Sequence, residues 1–366
     1  MSSKKNNKSK KHTIKRENRA VINDSQTSEI ADEPLVTIII PTFERPRLFR
    51  IALESVLNQT YKNLDIFITD NSHNDETEKL MQPYLAKDPR IKYEHHDEYD
   101  ASANWKRARG YNNPDAEYVN WLMDDDVFAP TKIEKMIAAF EQHPTATLVT
   151  SYRPMIDIDG NPLPDKAFNK RLVDRDSLIR GKEIGRKVLF DFGNYIGEPS
   201  TVLIKKAALN NFDLGWSGRE GKYLVSDWPT WLCCLAKGDL FYFAEPLSFF
   251  RAHMENGQKK VLSIYNSIIC WFMEIDYAWE THAFFDTPEE YAVTLLNFLT
   301  RVCKWLTPTS AYIYNRAFEN PVTDELTESY DEMLHLQRRA FMRATAIIKE
   351  HKLGRLEKDG ETKSEE

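Results

Sequence analysis

Residues Tyr118 to Pro130 read YVNWLMDDDVFAP, an apolar, strand-like run that stops at three consecutive aspartates and then a proline. Aspartate is disfavoured in strands, and adjacent carboxylates repel one another unless a cation or a ring of donors compensates them. Carboxylate oxygens are what Mg²⁺ or Mn²⁺ takes, with phosphates completing the shell. Asp124, Asp125 and Asp126 therefore read as a metal site, against the blander reading of a solvated acidic loop. The apolar segment before them predicts a buried strand that delivers them to a sheet edge, where doubly wound folds take their ligands.

Working back toward the N-terminus, LVTIII (Leu35 to Ile40) is a β-branched run between two prolines, as expected of a central parallel strand buried on both faces. PTFERPRLFRIALESVLNQTY then turns sharply into a helix on which Leu48, Ile51, Ala52, Ser55 and Val56 recur at helical spacing. LDIFITDNSHND is a second strand, ending in Asp70. Strand, helix, strand in this order predicts a right-handed parallel crossover, with PTFE and DNSHND facing one crevice. A second helix (Glu76 to Ala86) and a short third strand (RIKYEHHDE) lead to the aspartate strand. No G-x-G-x-x-G or G-x-x-x-x-G-K-[ST] loop follows the first strand, which excludes the usual dehydrogenase and P-loop readings.

The 366 residues, 42% apolar and 12% aromatic, suffice for one large core or a core plus a smaller lobe. A net charge of −7 gives no general affinity for polyanions, so no nucleic-acid partner is expected. Cys233, Cys234, Cys270 and Cys303 lack the paired spacing of a metal motif, and reduced thiols in a cytoplasmic protein are the expectation. No apolar run reaches bilayer-spanning length. Lys4 to Arg19 carries eight basic residues against one Glu with no apolar period, so residues 1–33 read as a disordered basic tail.

VTIIIPTFERP, ALESVLNQTYKNLDIFITDNSHND and the strand closing in DDD before Pro130 together resemble the family 2 glycosyltransferases of the GT-A fold. The resemblance covers roughly residues 34–253. It implies a Rossmann-like α/β domain with a mostly parallel sheet, and inverting transfer of a sugar from a nucleotide-diphospho-sugar, UDP-linked by preference. It further implies that Pro41, Thr42, Phe43 and Glu44 cradle the nucleoside, with Asp70 on the base or ribose. Asp124 would lie on the donor side, while Asp125 and Asp126, with His253 from the C-terminal side, would hold Mn²⁺ or Mg²⁺. Met123 departs from the pattern, standing where the family often has its first aspartate.

FGNYIGEPSTVLIKKAAL is similar to the family segment that lines the acceptor pocket, which makes Glu198, Pro199 and Ser200 acceptor-side candidates; an ordinary turn into a strand is the alternative. Asp227, in KYLVSDWPTWLCCLAKGDLFYF, matches the family's catalytic base, with Ser226 replacing the usual first acid. On its residues alone it reads as a helix N-cap, and the two roles are compatible. The segment PMIDIDGNPLPDKAF resembles a hairpin or loop lying over the sheet.

After the domain at 34–255, three stretches with helical apolar spacing fill 256–352, and 353–366 reads as a charged flexible tail. The helices would pack on the catalytic domain or on a second copy of the chain, or lie at a membrane surface near a lipid-linked acceptor. The acceptor is left open between glycan, lipid-linked and protein classes. The rival reading is a non-catalytic scaffold or regulatory subunit that keeps the GT-A fold, motivated by Met123 and the helical region.

Overall fold

The run LVTIII lies at the centre of the structure, a computed structural model that describes residues 33–97, 101–209, 227–252, 261–316 and 324–361. It forms β1 (Val36–Thr42), every residue of which is buried. Ile38 and Ile40 point into one core layer and Ile39 into the other, which is why a continuous β-branched run, rather than an alternating one, occupies this place.

The elements follow in order as α1 (Pro46–Leu57), β2 (Leu64–Asp70), α2 (Glu76–Lys87), β3 (Ile91–His95), α3 (Ala101–Gly110) and β4 (Tyr118–Trp121). Next come β5 (Val127–Phe128), α4 (Lys132–Gln142), β6 (Ala146–Tyr152), β7 (Met155–Ile156), β8 (Pro162–Leu163), β9 (Ser177–Ile179) and α5 (Gly181–Asp191). The chain continues through β10 (Leu203–Lys205), α6 (Asp227–Leu235), β11 (Asp239–Pro246) and β12 (Ser248–Arg251). Three helices follow: α7 (Val261–Glu280), α8 (Pro288–Arg316) and α9 (Asp324–Glu361).

Eight strands form the main sheet in the order β3-β2-β1-β4-β10-β6-β11-β9. The first four are parallel, as the strand-helix-strand pattern predicts, and Thr42 stands level with Asp70. The segment β10 runs antiparallel between β4 and β6. A small sheet, β5-β12-β7-β8, covers the aspartate turn, and the hairpin expected of PMIDIDGNPLPDKAF is β7 paired with β8. On α1 the buried face is Leu48, Phe49, Ala52, Leu53 and Val56, so Phe49 and Leu53 take the places expected of Ile51 and Ser55.

The three C-terminal helices are present and pack on the sheet, as the sequence allows. Tyr265, Ile268, Phe272, Phe298 and Leu336 share one apolar cluster with Ile39, Trp121 and Ile204 of the sheet. Residues 34–366 form one compact unit. The helix α9 continues to Glu361, past the boundary at 352 that its charge pattern suggests. Among the described residues no helix is long and apolar enough to cross a membrane. The basic tail expected at 1–33 lies, but for Glu33, outside the described residues.

Candidate functional site

Strands β1 and β4 are neighbours, so the loops that leave their carboxyl ends meet. Thr42 Oγ1 donates to Asp124 Oδ2 at 3.0 Å and the Phe43 amide to the same oxygen at 3.3 Å. Arg45 Nη1 then bridges Asp124 Oδ1 at 3.3 Å and Asp125 Oδ2 at 3.1 Å. Burial and the Asp125 charge raise the Asp124 carboxyl to about 6, against the opposing pull of Arg45, Thr42 and Phe43. The two carboxylates are thus bridged by the Arg45 guanidinium.

Asp126 faces another way. Its oxygens accept the Ser200 hydroxyl at 2.6 Å and the Arg251 amide at 2.9 Å. Burial, reinforced by the Asp125 charge, pushes this carboxyl well above the ordinary range. Arg251 also reaches back, Nε donating to the Asp125 carbonyl at 2.8 Å and Nη1 to the carbonyls of Asp157 and Ile158. The aspartate turn is therefore clasped by β12 from behind and by the β1 loop in front. Neither arginine stands out in the sequence as a partner for the aspartates.

On the second loop, Asp70 is wholly buried, and both its oxygens are engaged within the chain. Oδ1 accepts the Ser72 amide at 2.9 Å and the Ser72 hydroxyl at 2.6 Å, and Oδ2 accepts Tyr93 OH at 2.7 Å. Ser72 Oγ accepts the Glu44 amide at 2.7 Å, which ties the two loops together. Glu44 sits in the left-handed region, φ 53, and meets His73 Nδ1 at 2.5 Å, while Phe43 packs edge-on against the His73 ring. Asn104 of α3 donates to the carbonyls of Thr42 at 3.0 Å and Thr69 at 3.3 Å, beneath both loops.

Glu198, Pro199 and Ser200 come to the same place from the far side of the sheet. Ser200 Oγ, besides its bond to Asp126, accepts the Met123 amide at 3.0 Å. Glu198 is held by Arg153 Nε at 2.6 Å, and its charge adds to that around Asp126. The Pro199 carbonyl accepts Asn120 Nδ2 at 2.8 Å, and Asn120 in turn accepts the buried Lys132 ammonium at 2.8 Å. Gly197 opens this segment with φ +119, where a Cβ would meet Arg153 Cδ and Thr201 Cβ at 3.0 Å.

Asp227 begins α6, half-buried. Two tryptophans fix that helix: Trp231 Nε1 donates to the Gly197 carbonyl at 3.0 Å, and Trp228 stacks on Trp271 of α7 at 3.7 Å. The helix that carries Asp227 is thus bonded to the segment that carries Ser200. His253 lies outside the described residues.

Among the described residues no three acidic, His or Cys side chains converge as a ligand set. Asp126 is directed to Ser200 and Arg251, which leaves Asp124 and Asp125, meeting at Arg45, as the pair in position for a cation. Two carboxylates with a nucleotide's phosphates fit a hard divalent ion.

The family model described as glycosyl transferase family 2 matches residues 37–211. A GalNAc(5)-diNAcBac-PP-undecaprenol beta-1,3-glucosyltransferase of Campylobacter jejuni is 26% identical over 226 residues, 61% of this chain and 67% of its own. An uncharacterized glycosyltransferase of Rickettsia felis is 27% identical over 237 residues, which make up 62% of this chain and 36% of that one. Set beside these, the chain spans about two thirds of the first relative and about a third of the second. The crystal structure of S. aureus TarS 1-349 covers 86% of this chain and 83% of its own, with a TM-score of 0.56 at 14% identity. The same fragment in complex with UDP-GlcNAc gives a TM-score of 0.58 at 12% identity, over 84% of this chain and 82% of its own. At such identities the likeness is one of fold.

Proposed function

We propose that this chain, which belongs to the family 2 glycosyltransferases through residues 37–211, transfers a sugar with inversion from a UDP-linked donor to an acceptor hydroxyl. The observation that carries the reading is the Asp124 and Asp125 pair, held at the end of β4 by Thr42, Phe43 and Arg45. A structure of TarS is titled as a complex with UDP-GlcNAc, which supports UDP as the carrier. The Campylobacter relative is named for a PP-undecaprenol acceptor, which supports a lipid-linked or glycan acceptor.

In this reading the Thr42 to Glu44 turn borders the nucleoside, and Asp124 and Asp125 would hold Mn²⁺ or Mg²⁺. The bound ion would supply charge neutralisation to the departing diphosphate. Asp227 takes the proton of the acceptor hydroxyl as its oxygen bonds to the anomeric carbon. The bond from that carbon to the diphosphate breaks on the opposite face, and UDP leaves with the electron pair.

Calorimetry with UDP, with and without Mn²⁺, is the test. Metal-dependent UDP binding that Asp125→Ala abolishes is the expected result. Binding of a different nucleotide in preference would overturn the choice of carrier.

A further inference from the structure

We propose that Arg109 is a positioning residue for Asp227, the counter-ion that holds this carboxylate at the head of α6; the inference rests on the reading of Asp227 as the base. Arg109 lies on α3 and is only 5% exposed. Its Nη2 donates to Thr230 Oγ1 at 3.3 Å. Thr230 follows Asp227 by three residues, so the two share one face of α6, and a guanidinium anchored on the first lies beside the second. The remaining Nη1 is buried with no hydrogen-bond partner.

The electrostatics agree with this placement. Burial brings the guanidinium down to about 10, and the charge that acts against burial is that of Asp227. Arg109 is therefore cationic at neutral pH. A buried cation with one nitrogen lacking an acceptor is costly, and the Asp227 charge offsets part of that cost.

The same helix supplies the reason. Asn104, five residues before Arg109, is bonded to the carbonyls of Thr42 and Thr69 beneath the β1 and β2 loops. One rigid helix thus touches the nucleotide side through Asn104 and the base side through Arg109. The base is set in register with the crevice by α3, and the guanidinium keeps its carboxylate aimed.

The test combines two measurements on the full chain: a double-mutant cycle in denaturant, and the release of free sugar from UDP-glucose or UDP-GlcNAc with Mn²⁺. Arg109→Met should lower turnover by about tenfold to a hundredfold with UDP affinity unchanged, as expected of a group that acts through the base. Its effect on the unfolding constant should shrink by about tenfold once Asp227 is Asn, because charges that interact within the fold couple. Turnover within about twofold of wild type, beside an inactive Asp227→Asn protein, overturns the role of Arg109 alone. An active Asp227→Asn protein overturns the base reading, and this one with it. Absence of coupling also overturns the pair. Should Arg109→Met fail to fold, Thr230→Val removes the Nη2 anchor without changing charge. It should slow turnover several-fold at unchanged UDP affinity, and unaltered turnover counts against the proposal.

Discussion

The Ser200 hydroxyl donates to the Asp126 carboxylate at 2.6 Å while accepting the Met123 amide at 3.0 Å, so one side chain closes the aspartate turn from both ends. Asp126 is buried and carries its partners within the chain. Ser200→Ala would strip a buried carboxylate and a backbone amide of their shared partner. The expected loss is about 1–3 kcal/mol of stability in denaturant melts. Unchanged stability would mean that the Arg251 amide suffices to hold Asp126 in place.

The two acidic sites should divide their labour. Asp125→Ala should weaken UDP binding and turnover together, since a bound ion neutralises charge before and during bond cleavage. Asp227→Asn keeps the shape and much of the cap. Donor binding should survive in calorimetry while transfer falls by about a hundredfold or more, the scale of losing a general base. Near-full turnover in that variant would move the role to Glu198.

Asp124 gives a pH dependence whose sign can be worked out. A carboxyl whose folded value stands near 6 rather than 3.8 keeps its proton longer in the folded chain. Its stabilising contribution is therefore greatest at acid pH and drains away as pH rises from about 4 through about 6. The amount is about 3 kcal/mol for a shift of roughly two units. Thermal melts of wild type against Asp124→Asn should show this slope in the wild type alone. Added Mn²⁺ should restore stability at pH 8 and have little effect at pH 5, since the ion binds the deprotonated pair. A stabilisation by Mn²⁺ that is equal at both values would assign the ion to other ligands.

Truncation after residue 255 should leave a chain that does not fold. Ile39, Trp121 and Ile204 share their apolar cluster with α7, α8 and α9, and Trp228 would lose Trp271. The exposed face would aggregate, as read by light scattering and loss of near-UV circular dichroism. A soluble, cooperatively melting fragment 34–255 would show that the α/β layers fold without the three helices.

Much of the fold was legible because LVTIII, LDIFITD and the run into DDD are strand-length and β-branched or aromatic, with a helical period between the first two. Their parallel pairing and shared edge follow from the crossover rule, and the loops do meet there. The two-residue strands β5, β7 and β8 leave no period to read, and β10 is antiparallel in a sheet whose neighbours run the other way. At the site, residue types chosen for their chemistry came together, yet which carboxylate pairs with which cation depends on tertiary contacts. Asp126 turns to Ser200 and β12, and Asp70 spends both oxygens on Ser72 and Tyr93. Arg45, Arg109 and Arg251 carry no local signature that separates them from surface arginines.

The place of β10 also governs the order in which the chain can fold. Among the described residues the first four strands pair with one another until Leu203 arrives, and β6 is bonded to β10 and β11, both later in the chain. During synthesis β3, β2, β1 and β4 can assemble as soon as Trp121 has emerged, leaving the outer edge of β4 uncovered. That edge is sealed by a three-residue strand drawn from far along the chain, a pairing of high sequence separation that closes late. Until then the nascent half-sheet presents an open β edge, the segment a holding chaperone would have to shield.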